Sequence, residues 1–147
     1  MRAHLRAIRE AMRHALHAEL VDGQSISTTR ELAAYLRLEM GFEPSEQVRV
    51  LFLDVGNRLI SDELLFRGTV DAAPLYARPI AHRALDLGAA ALILVHNHPS
   101  GEPEPSRGDV DATRALGRAL APLDILLHDH VIVARRGWTS LRQRGLL

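Results

Sequence analysis

The sequence predicts an α/β domain, a mixed β-sheet flanked by helices, behind a helical N-terminal extension. Three observations predict it. Two apolar runs around a short turn, at 48–54 and 59–66, read as a β-hairpin. A continuous apolar stretch at 90–96, between two helical patterns, reads as a buried strand. The resulting order β-β-α-β-α-β-β, after two N-terminal helices, requires a mixed sheet with helices packed on it.

Residues 2–20 read as an amphipathic helix, with an apolar stripe of Leu5, Ile8, Met12 and Leu16 beside Arg2, Arg6, Arg9 and Arg13. That basic edge could touch phosphates. Four arginines without interleaved aromatics more often form a solvated face next to a core-facing or partner-facing stripe. Asp22-Gly23-Gln24-Ser25 breaks the helix, and Ser27-Thr28-Thr29 offers caps for a second one through Glu31–Arg37, ended by Gly41 and Pro44. Residues 1–44 are thus the extension and 45–147 the main domain. Val48–Asp54 and Leu59–Phe66 pair across the turn Val55-Gly56-Asn57-Arg58. Leu75–Leu87 carries apolar positions at Leu75, Ile80, Ala84, Leu85 and Leu87, reads as a helix and stops near Gly88. The strand Ala90–His96 follows, then a Pro/Gly-rich loop and a helix over Ser106–Leu120. Ile125–Leu127 and Val131–Ala134 are expected as two short strands around Asp129-His130.

A chain of 147 residues with 47% apolar residues can bury one substantial core. No apolar run approaches the ~20 residues a membrane helix needs, and the N-terminus lacks a signal-peptide h-region. The chain has no cysteine, which excludes disulfide stapling and fits a reducing compartment, so a cytoplasmic location is expected. Charge balances at 18 cationic against 18 anionic side chains, which argues against a uniform attraction to nucleic acid or anionic membrane.

The chemistry concentrates in one loop. His96 and His98 stand two residues apart at the end of an apolar strand, so both side chains point to the same side and can reach one ion. Asp109, eleven residues after His98, returns an oxygen ligand to that spot if the loop folds back. Two nitrogens, one oxygen and an open fourth position describe a catalytic zinc site, whereas structural zinc sites are closed and thiolate-rich. Single histidines do close strands for no chemical reason; a pair followed by Pro-Ser-Gly favours ligation. Ser106-x-x-Asp109 is also a helix capping box, a role compatible with ligation because the first helical turn fixes side-chain orientation.

His96, His98, Pro99, Ser106 and Asp109 stand at the spacing of the JAMM (MPN+) metallopeptidase signature, which they resemble. His96-Asn97-His98-Pro99-Ser100-Gly101, with Pro103 and Pro105-Ser106 behind it, is similar to the RadC branch of that superfamily. So are Leu51-Phe52-Leu53-Asp54, Gly68-Thr69, Asp129-His130 and Arg144-Gly145-Leu146-Leu147. The resemblance covers roughly residues 45–147. It implies a cytidine deaminase-like α/β sandwich and a zinc-dependent hydrolase cleaving peptide or isopeptide bonds, with His96, His98 and Asp109 as ligands of Zn2+. It assigns the acid/base to Glu63, five residues ahead of Gly68. Asp62 and Glu63 are adjacent and point to opposite faces, so only one can aim at the metal. The resemblance also implies that Ser106 donates a hydrogen bond to the developing oxyanion.

Asn97 reads as loop-bracing, Asp129-His130 as a pair that orients a ligand imidazole, Trp138 as core or sheet cover, and His82 and His128 as ordinary surface residues. Where the RadC pattern has a Pro-Arg-Glu run opening a helix, this chain has Ala77-Arg78-Pro79, and Pro79 is expected in the first helical turn. Two other functions stay open. One is a metal-dependent enzyme acting on nucleic acid, suggested by an association of RadC proteins with DNA repair; the other is a non-catalytic binding module. Retention of the full ligand set argues against the latter.

Overall fold

The computed structural model describes residues 2–21, 26–27, 30–68 and 73–147. The expected break at 22–25, the caps at Thr28 and Thr29, and Thr69 lie outside these residues, as do the side chains of Arg2, Leu16 and Leu75. Two helices, α1 (Arg2–Val21) and α2 (Arg30–Met40), precede strands β1 (Gln47–Leu53) and β2 (Leu59–Arg67). Then come α3 (Ala73–Leu87), β3 (Ala91–Asn97), α4 (Arg107–Leu120), a single 3-10 turn, β4 (Leu126–Ala134) and β5 (Gly137–Ser140).

The five strands form one mixed sheet in the order β2-β1-β3-β4-β5. Only β3 and β4 run parallel, because α4 carries the chain back across the sheet between them. Along β3 all seven residues are buried. That is what a central strand covered on both faces requires, and it explains why Ala91-Leu92-Ile93-Leu94-Val95 shows no polar alternation. On one face Leu92 and Leu94 join Val48, Val50 and Phe52 of β1 under Ile80 and Ala84 of α3 and Leu116 and Leu120 of α4. On the other, Ile93 and Val95 join Leu51, Leu53, Val131 and Val133 under Leu32, Tyr35, Leu36 and Met40 of α2. Removing a leucine-sized side chain from water in either layer contributes about 1.5–3 kcal/mol.

The β1–β2 turn is tied by Asp54, whose Oδ1 accepts from the backbone N–H of Gly56 (2.8 Å) and Arg58 (2.9 Å). Asn57 takes φ 59° there, a conformation asparagine tolerates better than most residues. Helix α1 is held by polar contacts: Arg13 reaches Glu39 of α2 at 3.2 Å, and His17 Nδ1 lies 3.2 Å from the Tyr35 hydroxyl. The described part of its stripe does not face the core, since Leu5, Ile8 and Met12 are 62%, 57% and 51% exposed.

Two expectations are corrected. Ile125–Leu127 and Val131–Ala134 are not two separate strands around Asp129-His130: Leu126–Ala134 is one strand, and the fifth is Gly137–Ser140. Asp129 and His130 separated the two expected strands because they are polar, yet both are buried and hydrogen-bonded inside the sheet layer, and the ladder continues through them after a register shift at His128. β5 escaped notice because Gly-Trp-Thr-Ser is too short to show alternation; it pairs with β4 through Ala134↔Gly137 after a two-residue turn. Pro79 lies inside α3 and not in its first turn. Its missing N–H deprives the turn before it of one hydrogen bond. No helix of the described residues is long and apolar enough to cross a membrane.

Candidate metal centre

His96 occupies the C-terminal part of β3, in register with Val48 of β1. By alternation it shares the α3/α4 face with Leu92 and Leu94. The next turn is closed by Gly101, whose N–H donates to the His98 carbonyl at 3.1 Å and whose φ of +97° suits glycine. The hairpin tip between β4 and β5 fixes this turn from the other side, with Arg136 N–H donating to Gly101 O at 3.1 Å. His98 is thereby folded back beside His96.

Ser106 is the N-cap of α4. Its Oγ accepts from Asp109 N–H at 3.0 Å, while its own N–H donates to Asp109 Oδ2 at 2.7 Å. This reciprocal capping box fixes the aspartate in the first helical turn, and the Asp109 carboxylate is thus aimed across the turn at the histidines.

The three side chains converge. His96 Nε2 and His98 Nε2 are 2.8 Å apart, His96 Nε2 lies 3.5 Å from Asp109 Oδ1, and His98 Nε2 lies 3.3 Å from Asp109 Oδ2. All three ligand atoms fall within 4.8 Å of one another. Around a tetrahedral ion with bonds of about 2.0–2.1 Å, ligand atoms sit about 3.3 Å apart. Each histidine nitrogen lies near this distance from one of the two Asp109 oxygens, and the histidine pair needs to open by about half an ångström. The donor set of two imidazoles and one carboxylate suits zinc.

Electrostatics agree with that use. Burial lowers the His96 pKa to about 4, against attraction from Asp109, so the ring is neutral at pH 7. Burial also holds His130 well below the usual histidine value. The hydrogen bond that His98 donates to the Asp109 carboxylate raises the His98 pKa, so that in the metal-free protein a proton competes for the site. Burial alone would raise the Asp109 carboxyl, but His98, His96 and the Ser106 amide and hydroxyl together pull it below the usual carboxylate range.

Both histidines have their other nitrogen engaged. His98 Nδ1 lies 3.0 Å from the Glu102 carbonyl, and His96 Nδ1 lies 2.6 Å from His130 Nε2. Behind His96, a cavity of about 30 Å3 lined by Val48, Leu94, Ala112, Thr113, Leu116 and His130 has room for a single small group.

Glu63 faces Val50 across β1–β2, and Val50 faces Leu94 across β1–β3, so Glu63 lies on the same sheet face as His96. Two strand spacings sideways and two residues along put their backbones about 12 Å apart. Its carboxylate is outside the three-residue cluster and accepts from Arg83 Nε of α3, at 2.8 Å and 3.0 Å to the two oxygens. Asp62 points to the opposite face, where it accepts from the Tyr35 hydroxyl and, at 2.7 Å, from Arg49.

By alternation along β4, Asp129 and His130 point to opposite faces of the sheet. Asp129 Oδ1 accepts from the backbone N–H of His130 at 2.7 Å and of Arg142 at 3.0 Å, which anchors the C-terminal segment to β4. His130 alone reaches a cluster imidazole. Asn97 braces the approach to β1, its Oδ1 accepting from Gln47 N–H at 2.7 Å and its Nδ2 donating to Ser45 O at 3.0 Å. Sequence reasoning missed Arg83 and Thr113. Nothing local marked Arg83, but Thr113 is four residues after Asp109 on the same face of a helix, a spacing that could have revealed it.

A mixed sheet whose central strand ends in a histidine pair, met by an aspartate from the first turn of the following helix, is the arrangement of a JAB/MPN-type domain. Residues 26–146 match the family model described as the RadC-like JAB domain, and the chain belongs to that family. The match takes in α2 as well as the sheet. Over 143 residues the chain is 49% identical to a UPF0758 protein of Ralstonia pickettii (strain 12J), an alignment covering 97% of this chain and 64% of that relative. The chain therefore spans less than two thirds of that relative's length. The JAB superfamily includes hydrolases.

Proposed function

We propose that this domain is a zinc-dependent hydrolase of amide bonds, with peptide or isopeptide substrates, and that His96, His98 and Asp109 hold the metal. The observation that carries the reading is the convergence of these three ligand atoms within 4.8 Å, with both Nδ1 atoms engaged elsewhere and both Nε2 atoms turned inward. Bound zinc would supply Lewis acidity, polarising the substrate carbonyl and acidifying water. The rest of the chemistry falls to the chain itself. Glu63, on the same sheet face, takes up the proton of the attacking water and delivers it to the leaving nitrogen. Arg83 holds that carboxylate toward α3 until substrate arrives. Ser106, fixed at the helix N-cap beside Asp109, donates its hydroxyl to the oxyanion that develops on the carbonyl. The absence of cysteine accords with a cytoplasmic setting for this reaction.

The test combines metal analysis of the purified protein with a screen of fluorogenic peptides, lysine-linked isopeptides and DNA. Wild type is expected to hold about one zinc per chain and to cleave an amide; Glu63→Gln is expected to keep the metal and lose turnover. DNA cleavage without amide cleavage would transfer the reading to nucleic acid, and near-normal amidase activity in Glu63→Gln would remove Glu63 from the mechanism.

A further inference from the structure

Behind the cluster runs a chain of buried hydrogen bonds whose direction is fixed at one end. The Thr113 Oγ1 lies 2.5 Å from the Asp109 carbonyl oxygen and 2.5 Å from His130 Nδ1. A carbonyl can only accept, so the hydroxyl proton is committed to Asp109 O. The hydroxyl oxygen is then an acceptor for His130, and His130 Nδ1 must carry the proton. A neutral imidazole protonated at Nδ1 has a bare Nε2. That Nε2, 2.6 Å from His96 Nδ1, therefore accepts a hydrogen bond from the His96 Nδ1–H. His96 is left with a bare Nε2, the atom that lies 2.8 Å from His98 Nε2. Thr113, His130 and His96 are all buried, which keeps the three side chains away from bulk solvent.

We propose that Thr113, acting through His130, is a positioning residue that sets the tautomer and ring orientation of His96, presenting the Nε2 lone pair to a divalent cation. The role rests on the metal-site reading above. The chain closes on itself: Asp109 contributes its carboxylate to the cluster and its backbone carbonyl to the far end of the relay. One turn of α4 thus sets both an oxygen and, through two intermediaries, a nitrogen of the cluster. His98 is outside this circuit, since its Nδ1 is held by Glu102 O.

The test uses two measurements on the full chain. Long-range 1H–15N correlation of the histidine rings in metal-free protein at neutral pH reads each tautomer directly. Wild type is expected to show His96 and His130 both protonated at Nδ1; an Nε2-protonated ring at either position overturns the proposal without any variant being made. Chelator competition then reads zinc affinity. Thr113→Val keeps the side-chain volume and removes the hydroxyl. It is expected to redistribute the His130 and His96 tautomers, leave His98 unchanged and weaken zinc binding by about 10–100-fold, with Thr113→Ser restoring both readouts. Unchanged tautomers and an affinity within about twofold of wild type in Thr113→Val would refute the role. If wild type shows the expected tautomers but binds no zinc, the metal reading fails while the relay stands, so the two are separable.

Discussion

Metal-free protein should lose stability on mild acidification, and the loss should trace to His96. Burial holds this imidazole at a pKa of about 4, against an ordinary 6.5. The unfolded chain therefore binds the proton more readily than the folded one. The contribution is fully present above 6.5 and is lost as pH falls toward the folded value. Across this shift, proton linkage gives a loss of about 2 kcal/mol at pH 5 relative to pH 7. His130, also lowered by burial, acts with the same sign. His98 acts oppositely: its raised pKa supplies stability that is present below 6.5 and disappears as pH rises through the folded value, so it offsets part of the acid loss. Asp109, held below its ordinary 3.8, adds its own loss only at lower pH, outside this window. Urea unfolding in EDTA at pH 7 and pH 5 measures the difference; with a slope of about 2 kcal/mol per molar, the wild-type midpoint should fall by about 1 M. His96→Gln should lose markedly less over the same interval. Equal pH dependence in wild type and His96→Gln would show that the neutral imidazole is not what acid attacks.

The opposite face of the sheet carries a different sensitivity. Arg49 is 14% exposed and bridges Asp62 (2.7 Å) and Glu39 (3.2 Å), themselves 5% and 9% exposed. Arg49→Leu leaves the Asp62 carboxylate without its cation, while Glu39 keeps Arg13 at 3.2 Å, and should destabilise the fold by about 3–5 kcal/mol in chemical unfolding. A loss no larger than that of Arg107→Ala, which breaks only the exposed 3.9 Å pair with Asp111, would contradict this account. In α3, Pro79→Ala restores an interior N–H on an exposed helix position and should raise stability by about 1–2 kcal/mol, the helical gain being reduced by the freer unfolded chain. An unchanged or lower urea midpoint would mean that the helix is already adapted to the proline.

What was legible in the sequence, and what was not, divides by the range of the interaction. The histidine pair, the capping box and the β1–β2 hairpin are encoded within a few residues each, and the structure contains all three arrangements. The buried run of β3 could be read because a strand covered on both faces has no polar alternation to hide. The misread strands at 125–134 fail for the complementary reason. Asp129 and His130 are polar, and partners beyond the strand help make them acceptable in a core: Ser140 and the Arg142 amide for one, His96 and Thr113 for the other. A local rule sees two polar residues and divides the strand at them; the folded protein has enclosed the very groups that satisfy them. The same enclosure fixes the direction of the relay behind His96, because a buried imidazole with one committed neighbour has only one neutral tautomer left. Of the two residues that defeated the sequence reading of β4, His130 is therefore the one through which the proposed relay reaches the cluster.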